Sequence, residues 1–316
     1  MEKKPLVTIR TSCYNHEDYL GDYFESIINQ TYQNIELVLF DDASPDNSQK
    51  VIEEWLPKLE ERFVRVIYIP REKNVGLIKN CNDSIKLAQG KYIFGFASDD
   101  VMLPKKIENS VNFLENNEEY GMVYSDIIEY RNGKAAIKSR FGNKAMPEGD
   151  IFQQLLLKGN FIPAPSVCIR SDVFNVINGY DDKLAVEDYQ MWLSIAEKYQ
   201  VGYLGEPTAL YRIHDKSLSH NKETRIKACE DALKVKFRFA NSPRIDAKVK
   251  KNIKKNAYKK NASVCFVYKD RQKFKEYYFK YEKFVKATNQ RVAPKMLIKK
   301  YLLQFRLHWL YKLLSK

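Results

Sequence analysis

Along the first hundred residues, short unbroken runs of apolar side chains alternate with stretches in which apolar positions recur at helical spacing. The runs at 6–9, 35–40, 64–69 and 91–94 are rich in β-branched and aromatic residues and predict buried strands. Between them, Leu20, Phe24, Ile27 and Ile28 mark one helix, residues 51–63 a second and 77–89 a third. Strand and helix in alternation predict an α/β domain with crossover connections. Farther on, 121–131 reads as a strand with a hairpin turn at Asn132-Gly133, and 151–157 as a helix. Pro163 and Pro165 stiffen the turn over 160–166, which either lines an acceptor or orders an ordinary connection. Residues 135–149 carry little pattern.

Three of the first four strands run into polar turns. The first ends at Thr11-Ser12-Cys13-Tyr14-Asn15, the second at Asp41-Asp42 and the fourth at Ala97-Ser98-Asp99-Asp100. Right-handed crossovers bring such turns to one edge of the sheet, where open α/β sheets bind ligands. A ring and a carboxylate there can hold a nucleobase, the ring by stacking and the carboxylate by accepting from a base N–H. Adjacent aspartates repel unless a cation lies between them and a ligand, so the last turn invites a divalent metal on a diphosphate. Taken alone, Asp99-Asp100 serves equally well as a cap for the helix after Pro104. The chain has neither GxGxxG nor GxxxxGK[ST], so no dinucleotide fingerprint or P-loop competes for the same sheet.

Charge changes the picture more than composition does. The 316 residues are 44% hydrophobic and carry a formal charge of +13, unevenly placed. From Lys222 onward there are 28 Lys+Arg against 7 Asp+Glu, a net of +21, while the residues before it hold 25 against 33, a net of −8. We therefore divide the chain into an acidic α/β domain, 1–221, and a basic, mostly helical region, 222–316, with helices expected at 224–240, 246–268, 272–287 and from Pro294. In the last of these, Leu297, Ile298, Tyr301, Leu302, Phe305 and Trp309 lie among Lys295, Lys299, Lys300 and Arg306. That pattern suits a helix lying in a membrane interface, and equally a final helix packed on the body with a solvated lysine face. No apolar run is long enough to span a bilayer or to form a signal-peptide core, and five scattered cysteines fit reduced thiols. Both point to a cytoplasmic protein, and the basic amphipathic helices to the inner face of the cell membrane.

The strings VTIRTSCYNHEDYLGDYFESIINQTYQNIELVLFDDASPDNS and NVGLIKNCNDSIKLAQGKYIFGFASDDVMLP resemble the start of family 2 glycosyltransferases of the GT-A fold. The likeness extends over 6–221. It implies a Rossmann-like mixed sheet flanked by helices and an inverting transfer of a hexosyl or N-acetylhexosaminyl group from a nucleotide-sugar, commonly a UDP-sugar. Mn²⁺ or Mg²⁺ would bridge enzyme and diphosphate. On matching positions, Thr11, Tyr14 and Asp42 hold the uracil and Asp99 is the metal carboxylate of the DxD motif. Ala97 stands where the family has its first aspartate, so that contact must weaken, move to Ser98 or Asp100, or be replaced. Either Asp99 or Asp100 then binds directly, and the spacing to Pro104 favours Asp99. Lys79 stands where an arginine is common and is a phosphate neighbour.

Two later motifs complete the resemblance. Glu187-Asp188 opens a helix whose apolar face is Tyr189, Met191, Trp192 and Ile195. By themselves such acids serve the helix dipole. The likeness makes Asp188 the catalytic base that takes the acceptor hydroxyl's proton, with Glu187 orienting. In LYRIHDKSLSHN, His214 would reach the metal and Arg212 the diphosphate, with His16 and His220 holding weaker claims. The expected partners are a nucleotide-sugar, a glycan or lipid-linked acceptor and a membrane surface, with self-association left open. Two other classes were weighed. A nucleotidyltransferase would want a glycine-rich basic turn after the first strand, which RTSCYNHEDYL lacks; a nucleic-acid-binding protein would explain the basic region but give the acidic strand ends no purpose.

Overall fold

The structure is a computed structural model that describes residues 4–131, 134–136, 138–142, 144–184, 186–214 and 222–304. Its elements follow the order β1 (Val7–Cys13), α1 (Leu20–Ile28), β2 (Ile35–Asp41), α2 (Ser48–Arg62), β3 (Arg65–Pro70), α3 (Leu77–Leu87), β4 (Tyr92–Gly95), β5 (Val101–Met102), α4 (Lys106–Glu115), β6 (Tyr120–Arg131), β7 (Lys134–Ala135), α5 (Phe152–Lys158), β8 (Cys168–Arg170), α6 (Val173–Val176), α7 (Glu187–Lys198) and β9 (Gln200–Arg212). Four helices follow: α8 (Lys222–Phe239), α9 (Ala247–Val267), α10 (Arg271–Ala287) and α11 (Pro294–Gln304). By compactness the chain forms two units. The first comprises Met1–Phe152, Phe161–Asp182 and Gln190–Asp215; the second comprises Gln153–Asn160, Lys183–Tyr189 and Lys216–Lys316. Besides the chain from 216 onward, the second unit takes in two short pieces from inside the α/β part.

The first unit holds one mixed sheet in the order β3-β2-β1-β4-β8-β6-β9-β5, with β7 paired to β6. β3, β2, β1 and β4 are parallel, as the alternating pattern predicts. β1 and β2 are almost wholly buried, which is why they read as continuous apolar runs. Glu36, inside β2, is fully buried yet satisfied: its carboxylate accepts from Thr8 Oγ1 (2.5 Å), Gln89 N (2.6 Å) and Arg65 Nη1 (2.8 Å). This fixes where β4 begins. Gly90 stands beside it because a Cβ there would lie 2.5 Å from the Thr8 backbone nitrogen. β4 therefore enters beside β1 in a set register and delivers its far end to the same edge as the ends of β1 and β2.

Three strands, β5, β8 and β9, are not anticipated by the pattern, β5 being only two residues long. β8 is short, and β9 is interrupted by Gly202, Gly205 and Pro207, which obscure its alternation although it pairs in parallel with β6 along most of its length. The 121–131 strand is present, and β7 returns against it through the Arg131–Lys134 pair; Asn132 and Gly133, the expected hairpin turn, lie outside the described residues.

The four helices of the second unit match the expected segments closely. Asp246 and Asp270 accept the N–H of Val249 and Lys273 and so start α9 and α10. Phe266, Phe274, Tyr278, Tyr281 and Val285 form a core with Met296, Leu302 and Leu303 of α11. So α11 has one buried face, and Leu297, Ile298 and Tyr301 are exposed on it. Phe305, Arg306 and Trp309 lie outside the described residues. All five cysteines are free thiols, and no described helix is long and apolar enough to cross a membrane.

Candidate functional site

The ends of β1, β4 and β9 build one corner within the first unit. After β1, Asn15 turns with φ 59°, and the backbone N–H groups of Asn15, His16 and Glu17 donate to Ser44 Oγ, Ser48 Oγ and Asp46 Oδ2, each at 3.0 Å. That ladder anchors the loop and aims the His16 ring at the end of β4. His16 Nδ1 lies 2.8 Å from Ser98 Oγ, and its Nε2 lies 3.9 Å from Asp99 Oδ2. Ser98 Oγ donates to the Ser12 carbonyl at 3.5 Å, so it accepts from His16 Nδ1–H. The tautomer that results carries the lone pair on Nε2, facing Asp99. From beyond β9, His214 Nε2 comes within 3.0 Å of the same Asp99 oxygen.

Among the described residues, His16, Asp99 and His214 are the one group whose donor atoms could hold a metal, all lying within 4.8 Å of one another. Two imidazole nitrogens and one carboxylate oxygen fit a divalent first-row transition-metal ion. Burial works against the Asp99 charge, but the hydrogen bond with His214 and the nearby His16 outweigh it and hold the carboxyl below its usual range.

Asp100 and Arg212, expected to contact the donor, are engaged in building this corner. Asp100 is 2% exposed and accepts the Arg212 backbone N–H at 2.8 Å. Burial first, then the Asp99 charge, push its carboxyl well above the ordinary range. The Arg212 guanidinium donates from Nε to the Asp99 carbonyl (2.7 Å) and from Nη2 to Asp22 (2.6 Å), and lies over the rings of Tyr19 and Tyr130. Of the two aspartates, Asp99 faces the histidines and Asp100 faces the fold.

The other expected donor residues are spread in role. Tyr14 is 46% exposed at the end of β1, the available ring of this edge. Asp42 lies next to it, its backbone N–H donating to the Cys13 carbonyl, but its carboxylate is 2% exposed and accepts from Val75 N (2.8 Å) and Gly76 N (2.9 Å). Thr11 is equally buried, its hydroxyl 2.5 Å from that of Tyr23. Ser98 is fully buried and acts through His16. Lys79, in the first turn of α3, pairs with Asp83 at 2.6 Å.

In the second unit, Glu187 and Asp188 open α7. Asp188 accepts from Asn160 Nδ2 at 2.8 Å and from Tyr189 N at 2.6 Å. Burial first, then the Glu187 charge, raise its carboxyl to about 7, although the residue keeps some contact with solvent. A carboxylate poised there suits a general base. Sequence reasoning undervalued His16 and did not single out Asn160. The polar turn after the first strand was the only pointer to His16, whose partners are remote in the chain; His220 lies outside the described residues.

A model of glycosyl transferase family 2 matches residues 8–176. An uncharacterized glycosyltransferase of Methanocaldococcus jannaschii is 30% identical over 231 residues, 71% of this chain and 77% of the relative. The UDP-Glc:α-D-GlcNAc-diphosphoundecaprenol β-1,3-glucosyltransferase of Escherichia coli is 31% identical over 221 residues, 69% of this chain and 81% of that one. The mannosyltransferase PcManGT of Pyrobaculum calidifontis, solved with GDP-Man and Mn²⁺, superposes with a TM-score of 0.63 at 13% identity, covering 99% of this chain and 84% of its own. That likeness shows the shared GT-A fold.

The structural role of Asp100 predicts the effect of replacing it. Asp100→Ala leaves the Arg212 N–H without its acceptor and should cost roughly 1–3 kcal/mol in urea unfolding. Asp100→Asn keeps a neutral acceptor oxygen in place and should retain most of that stability. Equal losses in the two variants would contradict the assignment.

Proposed function

The chain belongs to glycosyl transferase family 2, and on that footing we propose that this glycosyltransferase moves a hexosyl or N-acetylhexosaminyl group from a UDP-sugar to a hydroxyl of a lipid-linked glycan in cell-surface polysaccharide synthesis, inverting the anomeric centre. The observation that carries the reading is the meeting of His16, Asp99 and His214, with Tyr14, two residues before His16 in the chain, exposed to solvent. His16 and His214 present Nε2, and Asp99 keeps its charge, so the corner can receive the ion of a metal-bound diphosphate. Bound Mn²⁺ or Mg²⁺ would neutralise the charge that develops on the departing diphosphate. Tyr14 offers the stacking face for the uracil, and Asp42 fixes the Val75–Gly76 backbone beside it. Asp188, held by Asn160, takes the proton from the acceptor hydroxyl as that oxygen attacks from the face opposite the diphosphate.

The choice of UDP rests on the likeness to the Escherichia coli enzyme, whose donor by name is UDP-Glc and whose acceptor is lipid-linked. Turnover across a panel of UDP- and GDP-sugars, read as hydrolysis where no acceptor is supplied, tests it; preference for GDP-sugars would overturn the nucleotide. Asp188→Asn should keep UDP affinity and lower kcat by about 10²–10⁴. Because the base must be ionised, kcat/KM should rise with pH through a limb near 7. A variant with near-normal turnover would dismiss Asp188 as the base.

Calorimetry with Mn²⁺ and UDP checks the donor corner. Asp99→Asn and His16→Ala should each weaken Mn²⁺-dependent UDP binding about tenfold or more, and an unchanged affinity in Asp99→Asn would remove the metal from this corner. Contact with the inner face of the membrane is proposed through α11, where Leu297, Ile298 and Tyr301 are exposed beside Lys295 and Lys300. Since Met296, Leu302 and Leu303 are buried, truncation would damage the fold. Ile298→Glu is the cleaner probe and should reduce partitioning onto anionic vesicles; unaltered partitioning would argue against this surface.

A further inference from the structure

Within the second unit, two lysines converge on the chain beside Asn160. Gly159 closes α5 with φ 91°, its N–H donating to the Leu155 carbonyl at 2.9 Å. A Cβ built on it would lie 3.2 Å from Lys260 Nζ and 3.8 Å from Lys236 Nζ. Lys236 comes from α8 and is 4% exposed; Lys260 comes from α9 and is open to solvent. Neither has a hydrogen-bond or ion-pair partner among the described residues. Burial, then the Lys260 charge, bring the Lys236 ammonium down to about 8. The carboxyl end of α5 offers a partial negative charge, but no carbonyl of it accepts from either lysine, and one cation would suffice to answer it. Two like charges held together, one of them buried, call for an anion.

Place gives that anion its identity. The residue after Gly159 is Asn160, whose Nδ2 holds Asp188 Oδ2 at 2.8 Å. A group bound by the lysine pair is therefore joined through a single residue to the carboxylate that takes the acceptor's proton. We propose that Lys236 and Lys260 bind the phosphate or diphosphate of a glycosyl-phosphate acceptor, holding the first sugar so that its hydroxyl meets Asp188. This rests on the reading of Asp188 as base. The absence of a side chain at Gly159 keeps the space between the two ammonium groups open to a phosphate oxygen, and Lys260 at the solvent side admits it.

Inorganic pyrophosphate is the first probe, titrated calorimetrically into the full chain with EDTA present. Lys260→Gln, a change at an exposed position, should weaken pyrophosphate binding about tenfold, the loss of one charge-assisted contact. Lys236→Met, close in shape to the buried side chain, should weaken it at least as much. The second arm compares acceptors carrying the same glycan on an alkyl diphosphate or on an uncharged alkyl chain. Lys260→Gln should raise KM for the diphosphate acceptor about tenfold more than for the uncharged one. Unchanged pyrophosphate affinity in Lys260→Gln would overturn the site. Weakened pyrophosphate with no change in the KM ratio would show that the pair takes a free anion and would overturn the acceptor assignment. The calorimetry needs no turnover, so it decides the lysine site even where transfer fails; failed transfer with lysine-dependent pyrophosphate binding would strike the proposed reaction instead.

Discussion

The buried Asp100 carboxyl, accepting the Arg212 backbone N–H, joins the end of β4 to the end of β9 across more than a hundred residues of chain. His214, two residues on, meets Asp99, the neighbour of Asp100, at 3.0 Å. The same junction is closed a second time by the Arg212 side chain, which donates to the Asp99 carbonyl and is held between Tyr19 and Tyr130. A hydrogen bond to a buried group is modest in net worth but costly to leave unmade, so a junction of this kind fixes geometry more than it adds stability. Its product is a carboxylate whose position relative to two imidazoles is set before any ligand arrives.

The acids at the strand ends divide into two kinds. Asp41 accepts from Ser44 and Gln49, Asp42 from the backbone at 75 and 76, and Asp100 from Arg212. Each is nearly inaccessible and each organises a loop. Asp99 alone among these four is turned toward the histidines. Loops that carry chemistry must be held by something, and buried carboxylates accepting backbone N–H groups do so at low conformational cost. Lys106 belongs to the same design. It is buried against the rings of Phe94 and Phe96 and donates to Thr208 Oγ1 at 3.2 Å, and burial lowers its ammonium to about 7, with Cys168 and then Asp100 working the other way.

Asp188 follows a different logic. At the corner formed by the ends of β1, β4 and β9, neighbours lower the Asp99 carboxyl; in the second unit, burial and Glu187 raise Asp188 until it can exchange a proton near neutrality. Two aspartates of one chain are thereby driven in opposite directions, one suited to a cation and the other to proton transfer. Asn160, which holds Asp188, opens the proline-stiffened turn that the sequence left open between lining an acceptor and ordering an ordinary connection.

Local pattern determined much of this protein. Parallel strands buried on both faces read as apolar runs, amphipathic helices read by their spacing, and the lysine-rich helices from 222 onward appeared close to their observed bounds. The polar strand ends, the family resemblance and the loss of the first aspartate at Ala97 were legible for the same reason, since each is carried by a few adjacent residues. Tertiary structure decided what distance in sequence conceals. It turned Asp99 toward His16 and His214 and Asp100 into the fold, and engaged Thr11, Asp42 and Arg212 in hydrogen bonds of the fold. It also formed β9, whose glycines and proline blur its alternation but whose pairing with β6 carries His214 to Asp99. Type of element is set by neighbours a few residues away; the direction in which a side chain points at a strand end is set by hydrogen bonds to residues remote in the chain.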